Sequence, residues 1–186
     1  MINLKVIDNF ANIKEQLEII SYLNTNTFSY LFCHTSTKNK RFITSSTIDY
    51  PQLVKLIFDE VNVGGEILDN ILFSYVYKLL HKNNLSNKSI HRIKVNTTFP
   101  YPKNTKQKHG PIHYDLTELD VKAISIIYYI NNSDGDTLFF DDKLKTIKKV
   151  SPRQGRAVVF DSNIKHAACC PINSIHRQVI NFVLYK

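Results

Sequence analysis

The chain has 186 residues, 43% of them hydrophobic and 11% aromatic, enough for one sizeable core and too apolar for a disordered protein. No run approaches the roughly 18 uninterrupted apolar residues of a membrane span, and the opening MINLKVIDNFANIKEQLEII breaks its apolar residues with charges, unlike a secretory leader. The net charge of +8 has two readings: a nucleic-acid-binding surface, or the Lys, Ile and Asn bias of an AT-rich genome.

Residues 2–8 predict a short strand. Asn12 and Glu15 have the spacing of a capping box, and ANIKEQLEIISYL carries apolar residues at helical spacing. FSYLFCHTSTKNKRFITS predicts a hairpin, two apolar runs about the polar turn TKNK. From Pro51 to Leu85 the pattern is helical. After the Gly64-Gly65 break, Leu68, Leu72, Tyr75, Val76 and Leu79 share one face suited to core packing.

After Ser89 the character changes. HRIKVNTTF, VKAISIIYYIN, TLFF, LKTIKKV, GRAVVF, KHAACC and RQVINFVLY are short β-rich runs. Pro100, Gly110, Asp134-Gly135, Pro152–Gly155 and Pro171–Asn173 supply turns between them. No internal repeat, low-complexity tract or linker divides the chain. The expectation is one α+β domain over 1–186, with helical support at about 1–88 backing a jelly-roll core at about 89–186. Cys33, Cys169 and Cys170 form no C-x-x-C and read as buried thiols in a reducing cytoplasm.

The segment HGPIHYDLTELD, 109–120, sets His113 and Asp115 two apart after a Gly-Pro pair. On a strand both side chains face one way, which makes either half of a metal site or a hydrogen-bonded surface pair. A third ligand is available downstream in His166. Two histidines and one carboxylate make the facial triad of non-haem Fe(II) oxygenases, which leaves positions open for cosubstrate and dioxygen. Arg177 follows His166 by eleven residues. If the two segments are antiparallel neighbours, its guanidinium enters the same cavity and can bind a carboxylate through two parallel hydrogen bonds. His109 reads as a loop residue near the cavity mouth and His176 as exposed; His34, His81 and His91 have no evident partner.

Residues 91–184 resemble the 2-oxoglutarate/Fe(II)-dependent dioxygenases, specifically the prolyl-4-hydroxylase-like branch of bacteria and phages. The resemblance is carried by HYD at 113–115, SIIYYINN at 125–132, DGDTLFFDD at 134–142, PRQGRAVVFDSNIKH at 152–166 and Arg177, in matching order and spacing. It implies a double-stranded β-helix core with N-terminal supporting helices. His113, Asp115 and His166 would hold Fe(II), Arg177 would pair with the C5 carboxylate of 2-oxoglutarate, and Tyr129 and Thr137 would support that end. Dioxygen would be the second cosubstrate and ascorbate a stimulant. Asp134 stands where relatives have the first Gly of a Gly-Gly-x-Thr turn. Collagen-type prolyl hydroxylases have Lys where Arg177 stands, and oxygen-sensing relatives have Arg. Related halogenases lack the carboxylate of Asp115, so its presence favours hydroxylation.

The implied activity couples decarboxylation of 2-oxoglutarate to succinate with hydroxylation of a prolyl or other peptide side chain. Hydroxylation or demethylation of a nucleic-acid base or small metabolite is the alternative, as are a zinc hydrolase and a non-catalytic cupin-like metal-binding protein. Phe139, Phe140, Phe160 and Phe182 are expected to wall the pocket or to pack the core. Lys103, Lys106 and Lys108 in PYPKNTKQKHGP are expected on a mobile rim loop that steers an acidic or flexible peptide. No membrane association is expected, and the cytoplasm, that of the host for a phage protein, is the expected compartment.

Overall fold

The computed structural model describes residues 4–34, 49–102, 105, 109–116 and 122–186. Strand β1 (Leu4–Ile7) leads into helix α1 (Ile13–Leu23), whose capping box is complete: Asn12 Oδ1 accepts from Glu15 N at 2.9 Å, and Glu15 Oε2 accepts from Asn12 N at 2.6 Å. Strands β2 (Leu31–Cys33) and β3 (Gln52–Asp59) precede helix α2 (Asn70–Lys82), capped by Asp69. Then come β4 (Ile90–Thr98), β5 (Ala123–Tyr129), β6 (Thr137–Phe140), β7 (Thr146–Val150), β8 (Ala157–Asp161), β9 (His166–Ala168) and β10 (Arg177–Tyr185). The seven β-rich runs expected after Ser89 are these last seven strands.

The strands make two antiparallel sheets, one ordered β1-β8-β5-β10-β4-β3-β2 and a smaller one ordered β7-β6-β9. This is the double-stranded β-helix, with helices packed on the outer face of the large sheet. Period-2 alternation on β5 and β10 sorts their residues between two cores. Ile124, Ile126, Tyr128, Ile180, Phe182 and Leu184 meet the helices, which contribute Ile19, Leu72, Val76, Leu79 and Leu80. Ile127, Tyr129 and Val179 point between the sheets toward Phe139 and Phe160. Because both faces of β5 and β10 are covered, they read as nearly unbroken apolar runs.

Two expectations require correction. The helical pattern assigned from Pro51 fails over 52–59, which form β3, paired with β2 on one side and β4 on the other. A register shift between Leu56 and Phe58 buries Ile57 completely and disrupts the alternation by which a strand is recognised. In α2, Leu72, Val76 and Leu79 are fully buried as expected, whereas Leu68 precedes the helix and is 44% exposed. For the expected hairpin, β2 pairs with β3, and the TKNK turn and RFITS lie outside the described residues. So do Lys103, Lys106 and Lys108. No helix among the described residues is long and apolar enough to cross a membrane.

Candidate functional site

The strand β4 shows how the site is built. His91, Ile93, Val95 and Thr97 turn toward the helix side and are buried, which aims Arg92, Lys94, Asn96 and Thr98 at the opposite face. Lys94, Asn96 and Thr98 on that face line a cavity between the sheets, together with Arg177, Val179 and Asn181 from β10. A polar strand face that a sequence reader assigns to solvent is here the floor of a pocket.

Across the cavity, the segment 110–115 runs alongside β9. Gly110 N donates to Ala168 O at 2.8 Å, His113 and His166 exchange backbone hydrogen bonds at 3.0 Å, and Asp115 N donates to Ser162 O at 3.1 Å. This pairing brings the three predicted ligands together: one ligand atom from each of His113, Asp115 and His166 lies within 4.8 Å of the others. His166 Nε2 is 3.6 Å from Asp115 Oδ2, and the two imidazole centroids are 4.4 Å apart.

Both rings are held from behind. Nδ1 of His113 lies 3.0 Å from Pro111 O and Nδ1 of His166 lies 2.9 Å from Ile164 O. A carbonyl can only accept, so each Nδ1 carries the proton and each Nε2 keeps its lone pair for a metal. Phe160 packs edge-on against His166 at 4.9 Å, with Phe139 at 6.1 Å. Burial, and then the neighbouring His166, push the His113 imidazole down to about 3, so it is neutral at physiological pH. Burial acts the other way on Asp115, but His166, Arg92 and His113 together hold its carboxyl below the ordinary range.

Two partners of Asp115 escaped the sequence reading. Arg92 Nη2 reaches Asp115 Oδ1 at 3.2 Å, and Asn181 Nδ2 reaches Oδ2 at 3.2 Å. Arg92 sits on a polar-apolar alternation visible in RIKVNTT, which does not say which face is enclosed, and Asn181 is a lone amide in the apolar run VINFVLY.

Of the three residues predicted for the cosubstrate, Arg177 and Thr137 line this cavity, and Tyr129 is buried beside Thr137. Arg177, 3% exposed, donates from Nη2 to Thr137 Oγ1 at 2.9 Å, and Thr137 Oγ1 lies 2.8 Å from the Tyr129 hydroxyl. Arg177 Nε is buried without a partner, and no salt bridge engages this guanidinium among the described residues. A buried guanidinium in this condition calls for an anion. The route of Arg177 differs from expectation: β9 and β10 are not neighbours but belong to opposing sheets, so His166 and Arg177 face each other across the cavity.

The Asp134 substitution of the glycine turn has a local cause. Its carboxylate accepts from the backbone N–H groups of Ile172, Asn173 and Ser174 at 3.1, 2.7 and 3.2 Å, fixing the turn that precedes Arg177. The following Gly135 is required by crowding, since a Cβ there would lie 2.6 Å from Cys169 O and 3.1 Å from Arg177 Cδ.

Other expectations are adjusted. None of the four phenylalanines lines the cavity; Phe139 and Phe160 buttress His166, Phe182 packs toward the helices and Phe140 joins a small separate cluster with Ile112. His109 packs on Phe140 rather than opening on the cavity. His176 is half-buried, and His91 bonds the Tyr185 hydroxyl at 2.8 Å. All three cysteines are free and half-buried, Cys170 beside the cavity, and burial pushes the Cys169 thiol up to about 11.

Residues 98–185 match the family model of the 2OG-Fe(II) oxygenase superfamily. No curated protein sequence matches the chain. Among solved structures, a Pseudomonas putida prolyl-4-hydroxylase is similar at TM-score 0.59 and 14% identity, covering 100% of this chain and 93% of its own. A Trichoplax adhaerens prolyl hydroxylase, in complex with a peptide fragment of the hypoxia inducible factor oxygen degradation domain, gives 0.56 and 17% over 98% and 82%. The viral collagen prolyl hydroxylase of Paramecium bursaria Chlorella virus-1, in complex with 2-oxoglutarate, gives 0.57 and 14% over 97% and 95%.

Proposed function

Because residues 98–185 belong to the 2OG-Fe(II) oxygenase superfamily, whose members use iron(II), 2-oxoglutarate and dioxygen, we propose that this enzyme hydroxylates a peptide side chain, with prolyl as the first candidate. The supporting observation is one cavity with an acid-and-two-imidazole cluster at one end and a buried, anion-seeking arginine at the other. When bound, iron with 2-oxoglutarate and dioxygen supplies the oxidising chemistry, in which 2-oxoglutarate leaves as succinate and carbon dioxide and one oxygen atom enters a substrate C–H bond.

In this reading His113 and His166 bind iron through Nε2 and Asp115 through a carboxylate oxygen, a donor set suited to Fe(II) with open positions. Arg177 holds the far carboxylate of 2-oxoglutarate. Thr137 accepts from Arg177, so its own proton is free to go to the Tyr129 oxygen, which leaves the Tyr129 proton for the same carboxylate. Ile127, Val179, Pro111 and Ala168 give the cavity aliphatic walls that exclude water and fit an aliphatic side chain. The similar Trichoplax structure, in complex with a peptide fragment, supports a peptide over the alternatives, a nucleic-acid base or a small metabolite.

The test is succinate release by the Fe(II)-loaded protein with proline-containing peptides, single-stranded oligonucleotides and free amino acids. Peptides should stimulate turnover, and His113→Ala, Asp115→Ala and His166→Ala should each abolish it along with stoichiometric metal. Stimulation by oligonucleotides alone would overturn the peptide assignment. Stoichiometric metal in all three variants would overturn the ligand assignment.

A further inference from the structure

Gln52, at the start of β3, and Asn96, on the cavity face of β4, form a side-chain pair in the cavity wall: Asn96 Nδ2 donates to Gln52 Oε1 at 2.9 Å. Gln52 is 3% exposed. The outer atom of each amide, Gln52 Nε2 and Asn96 Oδ1, is buried without a hydrogen-bond partner among the described residues. The pair thus holds one unfilled donor and one unfilled acceptor at the cavity wall, closed off until the amides turn toward a ligand. This holds whichever way the amides are oriented, because turning both over preserves their mutual bond and merely exchanges which residue offers the donor.

Leaving two such groups unfilled inside a fold costs stability, and apolar residues of similar size would remove the cost. Their presence therefore points to a ligand. The cosubstrate is not that ligand: the carboxylates and keto oxygen of 2-oxoglutarate only accept, so it would leave the amide oxygen unfilled. The complement must present an acceptor and a donor side by side. One residue of an extended peptide does so, because its own N–H and C=O point to the same side, as in a hydrogen-bonded β pair. A nucleobase edge also does so, but a base needs an open aromatic face to stack upon. The two tyrosines lining this cavity, Tyr50 and Tyr101, are turned on each other instead, 4.7 Å apart at 54°.

We propose that the Gln52–Asn96 pair is a main-chain clamp that binds the N–H and C=O of one extended residue of the substrate peptide. This rests on the peptide reading above and assigns it a specific contact. A clamp of this kind reads the backbone and not the side chain, which leaves the choice of substrate residue to the aliphatic walls.

The experiment measures binding of an acetylated, amidated Ala-Pro-Gly repeat peptide to the Mn(II)- and 2-oxoglutarate-loaded protein by calorimetry. Gln52→Leu and Asn96→Leu should each weaken binding about tenfold, the equivalent of one lost hydrogen bond. The double variant should melt at the same or a higher temperature than the parent, an outcome opposite to that of a structural role. An ester scan of the peptide, replacing one N–H at a time by oxygen, should find one position that costs about tenfold in the parent and nothing further in one of the two single variants, the one that removes the acceptor. Undiminished peptide affinity in the double variant, or ester effects that simply add, would overturn the clamp while leaving the peptide reading standing. A peptide that neither binds nor stimulates succinate release, with nucleoside binding lost in the same variants, would overturn the peptide reading and make the pair a base reader.

Discussion

Arg92 lies on β4 with its Nη2 3.2 Å from Asp115 Oδ1, so the carboxylate of the candidate metal site already has a buried cationic partner before any ion arrives. Asn181 holds the second oxygen at 3.2 Å. Together they orient Asp115 and hold it ionised.

Arg92→Met breaks a pair whose side chains are 12% and 5% exposed. In the metal-free protein this should cost about 3 kcal/mol, the low end for a broken buried ion pair because Asn181 remains. A divalent ion replaces the missing charge, so Mn(II) should raise the melting temperature of the variant more than that of the parent. Equal increments in the two proteins would show that Arg92 and the metal do not act on the same carboxylate.

Arg177→Met should weaken 2-oxoglutarate by roughly 2–5 kcal/mol, the scale for truncating one partner of a shielded charge pair. Tyr129→Phe and Thr137→Val each remove one link of a single hydrogen-bonded chain, at about 1–3 kcal/mol apiece. Since the links are in series, the double variant should lose less than the sum. Titration of the Mn(II) form with 2-oxoglutarate measures all four affinities, and metal content should not change.

Gly135→Ala places a methyl group against Cys169 O, Pro171 N and Arg177 Cδ at 2.6, 3.0 and 3.1 Å. The tightest contact is with the Cys169 backbone oxygen, so the backbone at Cys169–Pro171 has to shift, and the Arg177 side chain beside it is displaced as well. The expected result is a destabilisation of about 1–3 kcal/mol, as for overpacking elsewhere, together with weakened 2-oxoglutarate binding. Stability lost with cosubstrate affinity intact would place the strain on the turn alone.

The depressed His113 imidazole sets a pH dependence. Its folded value of about 3 lies below the roughly 6.5 of an unfolded histidine, so between these limits the unfolded chain takes up the extra proton. The stabilisation from neutral His113 is complete above about pH 6.5 and is lost as pH falls toward about 3. Urea midpoints of the metal-free protein should fall across that window, and His113→Phe should flatten the slope.

The C-terminal strands were legible because their determinants are local. Turn residues separate seven β-rich runs, and each run became a strand. H-x-D, the distant His166 and Arg177 were legible as residue types at matched spacing, and the fold brings them to one cavity. Strand β3 was not legible, since the irregular pairing at Leu56–Phe58 spoils its alternation and the partners that make it a strand lie elsewhere in the chain. The opposition of His166 and Arg177 across two sheets was likewise invisible to spacing along the chain. Arg92 and Asn96, both on β4, mark the sharpest division. Period-2 alternation shows that they share a strand face apart from the core, yet a polar face looks the same in sequence whether it meets water or a cavity. That difference is decided by what packs opposite: the small sheet carrying β6 and β9, with the 110–115 segment beside it, closes over β4 and β10 and turns a polar strand face into the wall of a cavity.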